Sequence, residues 1–145
     1  MDIIKSFEGA FKRMKDRNWD KIYVLVDIHD TILKACYYEQ ENYEWFPYAK
    51  EALDIMSHAE RISLILWTST HEDTIKKYLE FFKKNGITFD MVNQNIETEN
   101  TDLASFDDKL YFNVGLDDKF GFDAETDWEI IYHYLIESIR LGKFK

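Results

Sequence analysis

Ile22-Tyr-Val-Leu-Val-Asp27-Ile-His-Asp-Thr31 is the stretch on which the reading of the fold turns. Its first five residues form an unbroken apolar run, without the alternation of a half-exposed strand. Such a strand belongs to a sheet covered on both faces, which predicts a central parallel strand. The run then breaks into Asp27, His29, Asp30 and Thr31, polar groups set at its carboxyl end.

Toward the N-terminus, Ile3, Ile4, Phe7, Phe11 and Met14 recur at helical spacing among Lys5, Glu8, Lys12, Arg13 and Lys15, which predicts an amphipathic helix lying on the sheet. Asn18–Asp20 separates it from the strand. Toward the C-terminus, Pro47 is expected in the first turn of a helix through Ala49, Leu53 and Met56. Ile62–Trp67 reads as a second buried strand. Thr70, with Asp73 three residues on, is expected to cap a helix carrying Ile75, Tyr78, Leu79 and Phe82 that ends at Asn85-Gly86. Phe89–Asn93 is a shorter strand candidate, and the acidic segment 94–108 a surface loop or short irregular helix. Leu110–Leu116 reads as a fourth strand ending in Asp117-Asp118, and Trp128, Ile131, Tyr132, Leu135 and Ile139 mark a last helix.

Strands alternating with helices predict a doubly wound α/β fold, its central sheet mostly parallel and its crossovers right-handed. The 145 residues are expected to form one domain, with a short aromatic flap at about 34–47. A single cysteine excludes an internal disulfide and fits a reducing, cytoplasmic setting. With 18 basic against 28 acidic side chains the formal net charge is −10, which argues against nucleic acid and anionic membranes as partners. No stretch is long and apolar enough to cross a bilayer, and the N-terminus lacks the apolar core of a secretion signal.

In sheets of this class ligands bind beyond the carboxyl ends of the strands. Three polar clusters fall there: Asp27 to Thr31, Thr68-Ser69-Thr70, and Asp117-Asp118. Carboxylate oxygens suit hard cations, so Asp27 with Asp117 or Asp118 makes a seat for Mg²⁺.

Val24-Leu-Val-Asp27-Ile-His-Asp-Thr31 resembles the first motif of the haloacid dehalogenase-like superfamily, a hydrophobic strand followed by Asp-x-Asp-x-Thr. Leu64–Thr68 resembles its second motif, and Lys109 followed by Leu110–Leu116 and Asp117-Asp118 its third and fourth. The resemblance spans 22–118 in the family's order. It implies a three-layer Rossmann-like fold and Mg²⁺-dependent phosphatase chemistry through an aspartyl-phosphate at Asp27. Since 34–47 is too short to fold as a separate cap domain, the chain resembles a capless member. Thr68, with Ser69 beside it, would bind the phosphoryl oxygens. Lys109 would neutralise their charge and hold Asp27. Asp27, Asp118 and the backbone carbonyl of His29 would bind the metal, with Asp117 supporting Lys109 or the metal.

His29 stands where the family's phosphatases usually carry an acid/base Asp. Histidine titrates near neutrality and can perform both proton transfers, so His29 is expected to be the general acid/base. The same departure leaves two further readings, a slow phosphotransferase and a catalytically quiet module that binds phosphate compounds or a protein. The flap aromatics, Tyr43 and Trp45 among them, are expected either to contact substrate or to pack as a lid or dimer contact. A small phosphorylated substrate, nucleotide or sugar phosphate, is compatible with them. If Thr70 caps its helix, Thr68 is left free for phosphate. His58, His71 and His133 are assigned no catalytic work.

Overall fold

The computed structural model describes residues 2–35, 43–107 and 109–144. The flap residues Tyr37 and Tyr38, the lone Cys36 and the end of the acidic segment at Asp108 lie outside the described residues. The described residues form four α-helices, α1 (Ile3–Asp16), α2 (Ala49–His58), α3 (Glu72–Lys84) and α4 (Asp127–Arg140), and four strands, β1 (Ile22–Asp27), β2 (Ile62–Trp67), β3 (Met91–Val92) and β4 (Val114–Leu116), alternating except that β4 follows β3 without an α-helix between them. The strands form one parallel sheet in the order β3-β2-β1-β4. The α/β, Rossmann-like architecture is the one expected.

The order of the strands explains how its two faces are covered. The chain steps from β1 to β2 to β3 in one direction, so right-handed crossovers place α2 and α3 on the same face. Ile22, Val24 and Val26 of β1 and Leu64 and Leu66 of β2 look that way. Their core takes in Phe7 of α1, Leu53 of α2, Phe82 of α3 and Trp128 of α4. The return from β3 to β4 runs in the opposite direction and crosses the opposite face. There Leu25, Ile65 and Met91 are covered by Leu110 and Phe112 of that connection. Helices, sheet and this irregular return segment make the three layers.

Four local expectations are corrected. Pro47 lies in the turn before α2, not in its first turn; Tyr48 holds the N-cap position at φ +65°. Thr70 is not the cap of α3, which begins after His71 without any side-chain capping bond. The strand expected at Phe89–Asn93 is reduced to two residues because side chains take over its ladder. The carboxylate of Asp90 accepts from the N–H of Leu64 at 2.8 Å, and Asn93 turns into the left-handed region at φ +55°. The strand expected at Leu110–Leu116 begins only at Val114. Asn113 accepts the N–H of Tyr23 on its side chain at 2.7 Å and ends the ladder, freeing Leu110 and Phe112 to cover the sheet. Among the described residues no helix is long and apolar enough to cross a membrane.

Candidate active site

β1 and β4 are neighbours whose connections leave in opposite directions, and such a switch point opens a crevice at the strand ends. The register pairs Val26 with Leu116, so Asp27 and Asp117 each follow one residue later, side by side. Beyond Asp27 the backbone folds tightly on itself. The carbonyl of Ile28 accepts from the N–H groups of Thr31, Ile32 and Leu33 at 3.3, 2.8 and 3.0 Å. Asp30 occupies φ +60°, a conformation Asp tolerates better than most residues, and its carboxylate accepts the N–H of Ala35 at 3.1 Å.

Thr31, fully buried, staples this turn to the rest of the site. Its hydroxyl donates to Asp27 Oδ2 at 3.3 Å and accepts from the N–H of Asp118 at 3.2 Å. Its carbonyl accepts from the indole of Trp128 on α4 at 2.6 Å. One side chain and one carbonyl thus tie β1, the end of β4 and α4 together. Asp117 is buried and its carboxylate accepts the N–H of Lys119 at 2.9 Å.

The result is three carboxylates, Asp27, Asp117 and Asp118, each offering an oxygen within 4.8 Å of the others. Burial, and next the charge of Asp117, push the Asp27 carboxyl up to about 7. Burial and Asp117 also raise that of Asp118. Gathering like charges in this way is unfavourable unless a proton or a cation intervenes. All three donors are hard oxygens, a set suited to Mg²⁺ or a similar divalent ion. The carbonyl of His29 accepts no hydrogen bond among the described residues.

His29 is half-buried and its Nε2 lies 3.0 Å from the hydroxyl of Tyr78, with the two rings edge to face. Burial lowers its pKa, and the charge of Asp30 opposes that effect. Tyr78 sits on α3 and is almost wholly buried. Nothing in the sequence singled it out beyond the apolar face of a helix. Tyr43 packs against the rings of Tyr78 and Phe81 at 5.5 and 4.5 Å. Trp45 packs against Phe81 and Phe82 at 5.3 and 5.7 Å. Both rings therefore pack on α3, and Tyr43 remains 39% exposed beside the partner of His29.

Thr68 follows β2 and is clipped by a residue the sequence reading passed over. Asn93 accepts the N–H of Thr68 at 2.8 Å and donates to its carbonyl at 2.9 Å. The hydroxyl of Thr68 meets that of Thr70 at 2.7 Å and accepts the N–H of Thr70 at 3.2 Å. Thr68 therefore holds the turn itself, contrary to the expectation that Thr70 would leave it free. Asn93 could have been suspected only from its place at the end of the neighbouring strand. Ser69 is exposed. Lys109 is exposed too, and among the described residues no ion pair joins it to Asp27, so the structure does not bring together the lysine and the nucleophile that the resemblance pairs.

No family model matches the chain, and no curated protein matches it. Its fold is similar to a solved structure of a conserved protein coded by a locus from Bacteroides thetaiotaomicron. That likeness has a TM-score of 0.63 at 27% identity, over 82% of this chain and 93% of the other.

Proposed function

We propose that the chain is a cytoplasmic, Mg²⁺-dependent phosphomonoester hydrolase of the haloacid dehalogenase-like kind, acting on a small phosphorylated substrate such as a nucleotide or sugar phosphate. The observation that carries this reading is the convergence of Asp27, Asp117 and Asp118 at the switch point, within 4.8 Å. A bound Mg²⁺ supplies charge neutralisation for the carboxylates and for the phosphoryl oxygens. Asp27, Asp117, Asp118 and the carbonyl of His29 are the groups that would hold it.

In this scheme an oxygen of Asp27 attacks phosphorus and forms an acyl phosphate while the ester oxygen departs. His29 gives the departing oxygen its proton. His29 then takes a proton from water, whose oxygen attacks phosphorus, releasing inorganic phosphate and restoring the carboxylate. The backbone N–H and hydroxyl of Ser69, exposed after β2, donate to the phosphoryl oxygens, while Thr68 holds the turn that presents them. The test is phosphate release from a phosphomonoester panel between pH 5 and 9, with and without Mg²⁺. Asp27→Asn is expected to abolish turnover, and His29→Ala to lower it by about 10²–10⁴-fold. Full activity in either variant refutes the corresponding role.

A slow phosphotransferase or a quiet binding module is the second reading, favoured by the exposure of Lys109, which makes no ion pair with Asp27 among the described residues, and by the engagement of His29 with Tyr78. Phosphate retained on Asp27 without release, read by mass spectrometry, distinguishes the transferase. Stabilisation by Mg²⁺ and BeF₃⁻ without any turnover distinguishes the binding module.

A further inference from the structure

A cavity of about 980 Å³ lies away from the carboxylates. Asp20 and Arg61, which line it, lie two residues and one residue before β1 and β2, so it opens at the amino ends of the strands, about 20 Å of strand from Asp27. Its charge is opposite to that of the whole chain. Lys5, Lys12 and Lys15 enter from α1, Arg61 from the start of β2 and Lys143 from the segment after α4, against only Glu8 and Asp20. In a chain of net charge −10, this is a local excess of cations drawn from three separate elements.

A solvated face of an amphipathic helix explains the lysines of α1 but not the other two cations. Arg61 is fixed by a hydrogen bond from its Nη1 to the carbonyl of Asp20 at 2.9 Å, and the ammonium of Lys143 lies 5.4 Å from the centre of the Tyr134 ring. Only Lys12 among the five is ion-paired within the described residues, with Asp16 at 2.7 Å. The remaining wall is apolar and aromatic: Phe11, Met14, Trp19 and Tyr134. The buried hydroxyl of Tyr134 has no hydrogen-bond partner among the described residues.

We propose that this cavity binds a small polyanion carrying a planar ring, of the nucleoside di- or triphosphate class, at a site separate from the carboxylate cluster. The phosphates sit among Lys5, Lys15, Arg61 and Lys143, which supply the opposite charge. The ring lies on the apolar wall beside Trp19. A phosphate oxygen arriving beside Lys143 also brings an acceptor toward the hydroxyl of Tyr134.

The test is titration of the full chain with ATP in EDTA, which removes the divalent ions that the carboxylate cluster would need. Calorimetry gives the affinity and amide NMR the location. Saturable 1:1 binding is expected, with shifts confined to 5–20, 61 and 134–144, weakening as salt is raised. Tripolyphosphate and adenosine are each expected to bind at least tenfold more weakly than ATP. The double variant Lys15→Glu/Lys143→Glu, both at solvent-facing positions and checked for folding by circular dichroism, is expected to lose at least tenfold in affinity. Asp27→Asn is expected to bind ATP unchanged. Absence of saturable binding at millimolar ATP overturns the proposal, as does equal binding by the double variant or by tripolyphosphate. Loss of binding in Asp27→Asn overturns it by assigning the anion to the carboxylate site.

Discussion

Replacing Asp27 by Asn is expected to stabilise the cation-free protein at neutral pH, although Asp27 lies at the centre of the site. The carboxyl, ordinarily near 3.8, is pushed to about 7 by burial and then by Asp117. Between those two values the folded chain keeps a proton that the unfolded chain has released, so stability falls as pH rises through that window. Moving a carboxyl that far corresponds to about 4 kcal/mol. Asp27 keeps some contact with water, which screens the effect and leaves about 1–3 kcal/mol. Asn matches the shape of the neutral acid and never ionises. The stability difference in favour of Asn should therefore be near zero below pH 4, grow up to pH 7 and level off above. Urea denaturation in EDTA, followed by tryptophan fluorescence at several pH values, reads this difference while the carboxyls remote from the site cancel; release of Asp117 and Asp118 from the charge of Asp27 adds to it in the same direction. The corresponding shift in melting temperature is about 3–9 °C above pH 7. A difference independent of pH, or an Asn variant less stable than the parent at pH 8, would refute the reasoning. Adding Mg²⁺ should reverse the order by stabilising the parent chain through mass action.

Thr31→Val removes the hydroxyl that joins Asp27 to the N–H of Asp118; a loss of about 1–3 kcal/mol is expected, with a smaller Mg²⁺-induced thermal shift, and an unchanged shift would mean the staple does not shape the site. Tyr78→Phe deprives His29 of its partner. It should cost about 0.5–1.5 kcal/mol in denaturation and lower kcat less than tenfold, with an altered pH profile; a profile identical to that of the parent chain would count against a positioning role for Tyr78. Asn93→Ala breaks both bonds to Thr68, with an expected cost of about 1–3 kcal/mol and faster amide exchange at Thr68, and unaltered exchange there would show that the clip does not order the turn.

The part of the fold legible in the sequence was the part built from continuous apolar runs. β1 and β2, buried on both faces, announce themselves at Ile22–Val26 and Ile62–Leu66, and the helices follow from the spacing of residues such as Phe7, Leu53, Phe82 and Trp128. What was not legible depends on side chains that take backbone roles. Asp90, Asn93 and Asn113 each supply a side-chain hydrogen bond to the backbone of a neighbouring segment, and no hydrophobic pattern reports such a bond. The carboxylates could be anticipated because they follow strands. Tyr78 could not, because the buried side of a helix looks the same whether or not one of its hydroxyls meets His29.

The arrangement of the site follows from direction more than from any single contact. Having gone from β1 to β3 on one face, the chain must return to the far side of β1, and a right-handed return must cross the other face. That crossing needs no helix: Leu110 and Phe112 suffice to cover Leu25, Ile65 and Met91. It does need β4 to end level with β1, since Asp117 must emerge beside Asp27. Three ladder pairs, Val24 with Val114 to Val26 with Leu116, set that level. The Thr31 staple then fixes Asp118 against Asp27. The acidic, irregular composition of the return segment is therefore compatible with an ordered site, because what positions the carboxylates is the short register of β4 and one buried threonine, both outside that segment.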